Sequence, residues 1–487
     1  MAPTTVPSNI RVPFVYVAID PSRASSSSGP LKYTALIIGQ KTSAGTVAEL
    51  KTTLVRNKDE AGAYFGYGSQ LHRMLKSWFA NNKTTSVKAI ALSDLLAGVA
   101  SKFTLTFAGT ATADGIVYLI VNGVSVKVGV IVGDTATAVA STAVTAINAN
   151  VDLPFTAAAV AGVVTLTAKN KGASSDELVI KYNYNDGEVL PAGITLAIAK
   201  SVVGQGNPDV QDVLDVLGDQ WFQTIVMPYT DSANLLAMHT ELDDRFGPIR
   251  QLDGWCYVAR RGTVGELTTF SSDKNSQYIT CMNAGGIPNS TEEFAAARAA
   301  EEAGSLETDP AVPVKTLAMV GIVPPQLEDR LKWDDNNALL YSGISTFDID
   351  AGGQVIIQQS ITMYRKNAAG APDIAFYKVN TLATLAFIRY DFKNYFLVHY
   401  PRAKLADDNG YIPSGQQYLT PKTGKSEAIN IFKHWMKDLG IVENLEQFKT
   451  DLVVRISTED KNRIEFLLTP NLVNQADIIS AIIQYII

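Results

Sequence analysis

Two short strings carry glycines where a phosphate could sit. Phe65-Gly66-Tyr67-Gly68-Ser69 begins like a dinucleotide-binding turn, whose glycines let backbone N–H groups approach a pyrophosphate at a helix start. Leu71 stands where the third glycine belongs, so the string reads as a turn and helix start. Thr423-Gly424-Lys425-Ser426 has the tail of a triphosphate loop, but Pro421 and Lys422 fill the loop and no second glycine precedes them. A nucleophile set can be drawn from Cys256 or Cys281 with His239 and Asp243. Cys256 lies in Trp255-Cys256-Tyr257, a strand-like run in which a thiol is a small core residue, and nothing local would activate its thiolate. No Gly-x-Ser-x-Gly elbow occurs. The four histidines, at 72, 239, 399 and 434, are far apart, and there is no Cys-x-x-Cys. Asp243-Asp244-Arg245, Glu328-Asp329-Arg330 and Asp407-Asp408 read as solvated faces or intersubunit ion pairs. The expectation is no catalytic, cofactor-binding or metal-binding residue, and no enzyme.

The elements that would position such groups form an α/β pattern with an interruption. Residues 33–38 and 87–92 are short buried-strand candidates, and 59–81 between them is a helical stretch with Leu71, Met74, Leu75, Trp78 and Phe79 on one side. Composition shifts near Leu96 and back near Gln205. Between them the chain is rich in Ala, Thr, Val and Gly. There 102–107 alternates at period two, and 116–121, Asn122-Gly123 and 124–132 form a hairpin signal with a type I′ turn. Asp134 is the expected cap of a helix to about 148, and strands are expected at 163–168, 178–184 and 194–199. After the interruption helices at 210–217, 232–246 and 264–270 alternate with strands at 222–227, 254–259 and 278–282. Such alternation implies a largely parallel sheet covered on both faces.

Ser290-Thr291-Glu292-Glu293 predicts a capping box ahead of an Ala-rich helix. Residues 333–337 read as a polar loop. Hairpin strands are expected at 340–347 and 354–364, then a helix carrying Leu382, Leu385, Ile388, Phe392 and Phe396. A further helix near 426–439 precedes strands at 452–456 and 464–468. The expected domains are an arm at 1–30, a discontinuous α/β core at 31–95 and 205–365, an inserted β-rich domain at 96–204, an α+β domain at 366–475 and a second arm at 476–487.

The totals fit a globular protein. A chain of 487 residues with 46% hydrophobic and 18% charged residues has room for about two to four domains. A net charge of −7 without a long basic run argues against nucleic acid. Two cysteines give no disulfide framework and fit a reducing compartment. The first eleven residues lack a signal-peptide core, and no apolar run is long enough for a bilayer; 124–132, broken by Lys127, comes closest. Synthesis in the cytoplasm is expected, with no membrane insertion.

Both ends of the chain are apolar. Residues 12–19 include Val15, Tyr16, Val17 and Ile19, and the last residues include Ile479, Ile482, Ile483, Tyr485 and Ile487. Termini are usually loose and polar, so ends rich in β-branched residues are strands in want of cover. Pairing within the molecule or between copies would supply it.

Several strings together resemble the contractile tail sheath proteins of Mu-like bacteriophages. They are the helix-opening run from Phe65 to Met74, Asp309-Pro310-Ala311-Val312-Pro313, Gly321-Ile322-Val323-Pro324-Pro325, Asn337 to Ser345, Ile361-Thr362-Met363-Tyr364 with Asp373 and Asn380-Thr381-Leu382 beyond it, and Lys404-Leu405-Ala406-Asp407-Asp408. Their order and spacing span most of the chain, and the insert resembles the variable, outward-facing module of these sheaths.

The resemblance implies a three-layer, subtilisin-like α/β sheath core without protease activity, since no Asp–His–Ser set is present. It implies self-assembly as six-fold rings in a helix around a tail tube, with baseplate and tail terminator proteins as further partners, in a virion tail made in the host cytoplasm. The terminal arms would add strands to a neighbour's sheet, received by a hairpin containing Val454, Ile456, Ile464 and Phe466. The Ser-rich run 25–28 and Gly410, Gly415 and Gly424 would be flexible points. A bacterial contractile injection machine would use the same fold. An α/β enzyme and a surface adhesin are the readings from other classes; the first lacks a catalytic set, and the second lacks aromatic clusters in the insert, which has no Trp.

Overall fold

The computed structural model describes residues 31–411, 413 and 415–486. The N-terminal arm with Val15, Tyr16, Val17 and Ile19, the run 25–28 and Ile487 lie outside the described residues.

The central element is an eight-stranded sheet. Its order is Val355–Gln359, Ile344–Ile349, Ile279–Asn283, Trp255–Arg260, Thr224–Val226, Thr34–Gln40, Ser86–Leu92 and Thr53–Val55. Neighbouring strands run parallel except at the two margins, where Val355–Gln359 and Thr53–Val55 pair antiparallel. Runs such as Ala35 to Ile38 are fully buried, as strands covered on both faces require. Helices Gln70–Asn81 and Thr291–Thr308 pack on each other and on this sheet. The second is buried nearly all round, and its alanines at 295, 296, 297, 299, 300 and 303 permit the close approach. Inside it, Arg298 Nε bonds Glu302 at 2.7 Å with both side chains inaccessible. Arg298 also donates to Thr280 Oγ1 and Ser360 Oγ, and Tyr257 donates to Glu302.

Residues 102–202 make two further sheets around a separate hydrophobic cluster. One has the order Ile194–Val202, Lys102–Gly109, Val163–Ala168, Phe155–Val160; the other is Val124–Val130, Gly115–Val121, Ile180–Tyr182. Helix Ala136–Ala149 packs against strands of both. Asn122 and Gly123 take φ of 50° and 77°, the left-handed pair that the hairpin turn needs. A third cluster joins helices Val379–His399, Pro421–Lys437 and Leu445–Asp451 beneath the hairpin Val453–Ile456 and Ile464–Leu467.

Several expectations are corrected. The helical stretch 59–81 is two helices, Lys58–Phe65 and Gln70–Asn81, broken where Gly66 and Gly68 adopt positive φ. Thr135, not Asp134, caps helix Ala136–Ala149 by accepting from Ala138 N, while Asp134 accepts from Ile131 N. Ser290 forms no capping bond; its hydroxyl and the Glu293 carboxylate both bind Arg73. The charge-assisted bonds to the buried guanidinium are stronger than the neutral capping bonds they replace. Residues expected as a loop at 333–337 open helix Trp333–Tyr341, which also absorbs Leu340 and Tyr341. Strand Phe155–Val160 was not expected: its alanines carry little strand signal. Gly424 is no hinge. It lies inside helix Pro421–Lys437, where a Cβ would stand 3.0 Å from Phe466 and 3.2 Å from Val454.

Candidate assembly interface

The enzyme-like sets do not assemble. His239 Nδ1 meets Ser276 Oγ at 2.8 Å, and Asp243 accepts from Tyr278 OH at 2.9 Å. Neither partner is a thiol. Burial drives the Cys256 thiol far above its usual range and pushes Cys281 up to about 12, so both are inert thiols in strands. At the glycine turn the donors are already used: Gly68 N–H donates to His72 Nδ1 (3.0 Å), Gln70 N–H to Asn170 Oδ1 (2.9 Å) and His72 N–H to Ser69 Oγ (3.2 Å). That turn is a seat for the insert, not for an anion. Among the described residues no group of three His, Cys, Asp or Glu side chains is placed to hold a metal, and no helix is long and apolar enough to cross a membrane.

The geometry that remains unexplained within one chain lies at the C-terminal end. Strand Asn471–Leu472 pairs antiparallel with Val442–Glu443, and Val473 N–H donates to Ile441 O. Lys378 then holds Gln475 Oε1 at 2.9 Å and ion-pairs Asp477, while Lys315 Nζ donates to Ala476 O at 2.6 Å. Beyond this root the described residues make no strand. Ile478, Ile479, Ile482, Ile483, Tyr485 and Ile486 are 80 to 100% exposed. A largely apolar segment in open solvent, broken only by Ser480 and Gln484, marks an interaction surface.

The hairpin Val453–Ile456 and Ile464–Leu467 is a two-stranded sheet among the described residues. Ser457 N–H donates to Arg463 O at 2.8 Å, which makes 457 and 463 a hydrogen-bonded pair. Antiparallel alternation then makes Ile456/Ile464 and Val454/Phe466 the non-bonded pairs. The backbone groups of these four residues therefore point away from the partner strand, toward the two outer edges. Their side chains share the inner face: Phe466 packs edge-on against Phe392 and beside Phe396, with centroids 5.4 and 5.1 Å apart. The other face carries the Arg455–Glu465 ion pair, 2.9 Å, with Val453 and Leu467 exposed. Among the described residues no further strand pairs with either edge of this hairpin. Lys315 and Lys378 escaped sequence reasoning, because each meets the tail only through contacts far along the chain.

Residues 204–363 match the model of the phage tail sheath protein central domain, and 371–485 that of the phage tail sheath C-terminal domain. The chain is 36% identical over 482 residues to the Mu-like prophage FluMu tail sheath protein of Haemophilus influenzae, covering 99% of each. Among solved structures, it is similar to the sheath tail protein from Desulfitobacterium hafniense at 14% identity, over 94% of this chain and 100% of that one, with a TM-score of 0.48. The helical sheath of the anti-feeding prophage in its contracted state aligns at 11% identity over 98% and 99%, with a TM-score of 0.49.

Proposed function

The chain belongs to the phage tail sheath family, and from that premise we propose that it is the repeating subunit of a contractile tail sheath. Copies polymerise as six-fold rings in a helix around a tail tube, bounded by baseplate and tail terminator proteins in the virion tail. Contraction drives the tube through the host envelope. The protein is made in the host cytoplasm and does no covalent chemistry. Residues 31–95 and 205–365 serve as a three-layer, subtilisin-like core, 96–204 as the outer module and 366–475 as the domain that carries the linkage. The arms 1–30 and 476–487 reach adjacent copies, with Val15, Tyr16, Val17, Ile19, Ile479, Ile482, Ile483, Tyr485 and Ile487 in exchanged strands. Val454, Ile456, Ile464 and Phe466 receive them.

One observation carries this reading: an anchored, solvent-exposed apolar arm coexists with a hairpin whose outer edges pair with no other strand among the described residues. Burying an isoleucine gains about 1.5–3 kcal/mol, and fixing the backbone of one residue costs about 1–2 kcal/mol. Alternate residues of an added strand share a face, so burying one face of 478–486 covers three of its six large apolar side chains and offsets about half of the ordering cost. Backbone hydrogen bonds at a sheet edge then tip the balance, which favours strand addition over loose adhesion. A head-to-tail contact whose rotation does not close builds an open array. A difference of even about 1 kcal/mol per subunit between two lattice arrangements multiplies along that array, so the switch needs no nucleotide.

Deleting 478–487 tests the proposal. The truncated chain is expected to keep its circular dichroism and melting transition and to form no tubes or rings in electron micrographs. Tubes of normal length from the truncated protein would remove the arm from the mechanism. A full-length chain that stays monomeric at high concentration would remove the sheath reading.

A further inference from the structure

We propose that residues 23–30 of the chain's own N-terminal segment seat in a cleft between the α/β core and the C-terminal helices, with the Arg23 guanidinium among the carboxylates of that cleft. Strand exchange concerns residues 12–19 and adjacent copies. The seat concerns the stretch between those residues and the fold, and it closes a joint inside one copy.

The cleft has a volume of about 630 Å³. One wall is made by Leu31 and Tyr33, just before strand Thr34–Gln40, with the end of helix Thr291–Thr308. The facing wall is made by Phe387 and Asp391 of helix Val379–His399 and by the end of helix Pro421–Lys437 with the turn after it. Leu31, Tyr33 and Leu306 belong to the hydrophobic cluster of the central sheet, whereas Leu439 and Ile441 belong to that of the C-terminal helices. The cleft is thus a seam between two cores, and whatever fills it joins them.

The first described residue says what fills it. Leu31 is only 6% exposed and is itself part of the wall, so Pro30 joins the fold at the cleft. Thirty residues precede Leu31, and they hold two cations, Arg11 and Arg23, against one carboxylate, Asp20. Arg23 stands eight residues before Leu31, a tether of at most about 26–29 Å, enough to reach any wall of the cleft. Between them lie Ala24, Ser25 to Ser28, Gly29 and Pro30. These are small residues that enter a narrow seam, and the serine hydroxyls can donate to carboxylates. The segment of a second copy would have to pass the first copy's own Pro30, so the occupant is the chain's own segment.

Charge complements this placement. Glu307, Asp309, Asp391 and Asp438 line the cleft with His434, and no Lys or Arg does. Among the described residues the Glu307 carboxylate accepts only from Thr85 Oγ1 (3.0 Å) and that of Asp309 only from Ala311 N–H (2.9 Å). Asp438 meets His434 Nδ1 at 2.7 Å, and Asp391 accepts from Trp435 Nε1 at 2.7 Å. Burial raises the Tyr33 phenol, and the negative charges of Glu307 and Asp253 add to the effect. Like charges gathered in a partly enclosed seam favour a cation there, and a guanidinium presents five donors to them.

Disulfide trapping in the full-length chain tests the seat, since Cys256 and Cys281 are fully buried. In Ser27→Cys/Thr308→Cys protein, oxidation is expected to close a within-chain link, seen as a faster band on a denaturing gel. Dimers in place of that band would assign the cleft to a second copy, and the absence of any link would overturn the seat. Ser27→Cys/Thr142→Cys, with its second cysteine on the inserted module, is expected to give no link; an equal yield there would show that the segment roams and would likewise overturn the seat. Independently, Glu307→Gln/Asp309→Asn keeps both acceptors and removes both charges. Trypsin is expected to cut after Arg23 at least fivefold faster in that variant than in the parent, at an unchanged melting temperature. Equal rates would overturn the charge contact. Both readouts are taken on unpolymerised protein, so a failure of strand exchange leaves them unaffected.

Discussion

Lys378 and Asp477, 99 residues apart, form the ion pair at which the C-terminal arm leaves the folded body. Lys378 also occupies the N-cap position of helix Val379–His399. The tail's point of departure is therefore fixed to the start of that helix. In Lys378→Met the loss of this half-buried pair is expected to cost about 1 kcal/mol or less in stability. The larger effect should be on assembly, because the root is then held only by Lys315 and the short strand pairing before it. Hydrogen exchange at 473–477 should rise and tube formation should slow; unchanged assembly kinetics would show the root to be incidental.

Arg73 ties three elements together. It bonds Glu292 at 2.9 Å and Glu293 at 2.5 Å, and Asn122 from the turn of the inserted hairpin donates to the same Glu293 at 2.6 Å. Arg73→Met leaves two buried carboxylates without a cation, a change expected to cost about 3–5 kcal/mol. Chemical denaturation should register that loss, and proteolysis should find the joints at 96–101 and 203–207 newly open. A variant as stable as the parent would mean the carboxylates find protons or water at little cost.

His72 makes the same joint sensitive to acid. Burial pushes its imidazole down to about 4 from the usual 6.5, reinforced by Lys76, Arg73 and Lys169 and opposed by Asp152. Its Nδ1 accepts from Gly68 N–H, a bond that protonation destroys. The folded pKa lies below the unfolded one, so the unfolded chain takes the proton first. The contribution is whole above pH 6.5 and is lost as the pH falls toward 4, on the order of 3 kcal/mol in all. His72→Asn keeps an acceptor without a proton to gain. Its stability relative to the parent should improve across that window, and parallel pH profiles would refute the assignment.

Gly424 sets the distance between helix Pro421–Lys437 and the hairpin. A valine there would press on Phe466 and Val454, 3.0 and 3.2 Å from the new Cβ. Overpacking of this kind costs about 1–3 kcal/mol, and on the proposed strand exchange the displaced strand should receive arms less well. The melting temperature and tube yield should fall together in Gly424→Val; a fall in neither would show that the hairpin floats on the helix.

The buried thiols give a plain control. Cys256 and Cys281 should resist a thiol reagent in the native protein and react on unfolding, since burial disfavours both thiolates. Rapid native labelling of either would reopen the thiol chemistry that the geometry argues against.

Much of this protein was legible as pattern. The buried runs of the parallel strands, the Asn122-Gly123 turn and helix Ser232–Phe246 each carry their signal within a few residues, where periodicity and turn chemistry act. The same is true of the apolar tail, whose residues alone say that it needs cover. Other features needed the third dimension. Ser290 and Glu293 have the spacing of a capping box, yet Arg73, more than two hundred residues away, takes both. Gly424 looks like a hinge in sequence and is a spacer against Phe466. Whether Ile464 and Phe466 face an edge depends on one bond between Ser457 and Arg463 that fixes the alternation. Local order follows from neighbours along the chain, whereas buried charge, close approach and free sheet edges are decided by which distant segments meet.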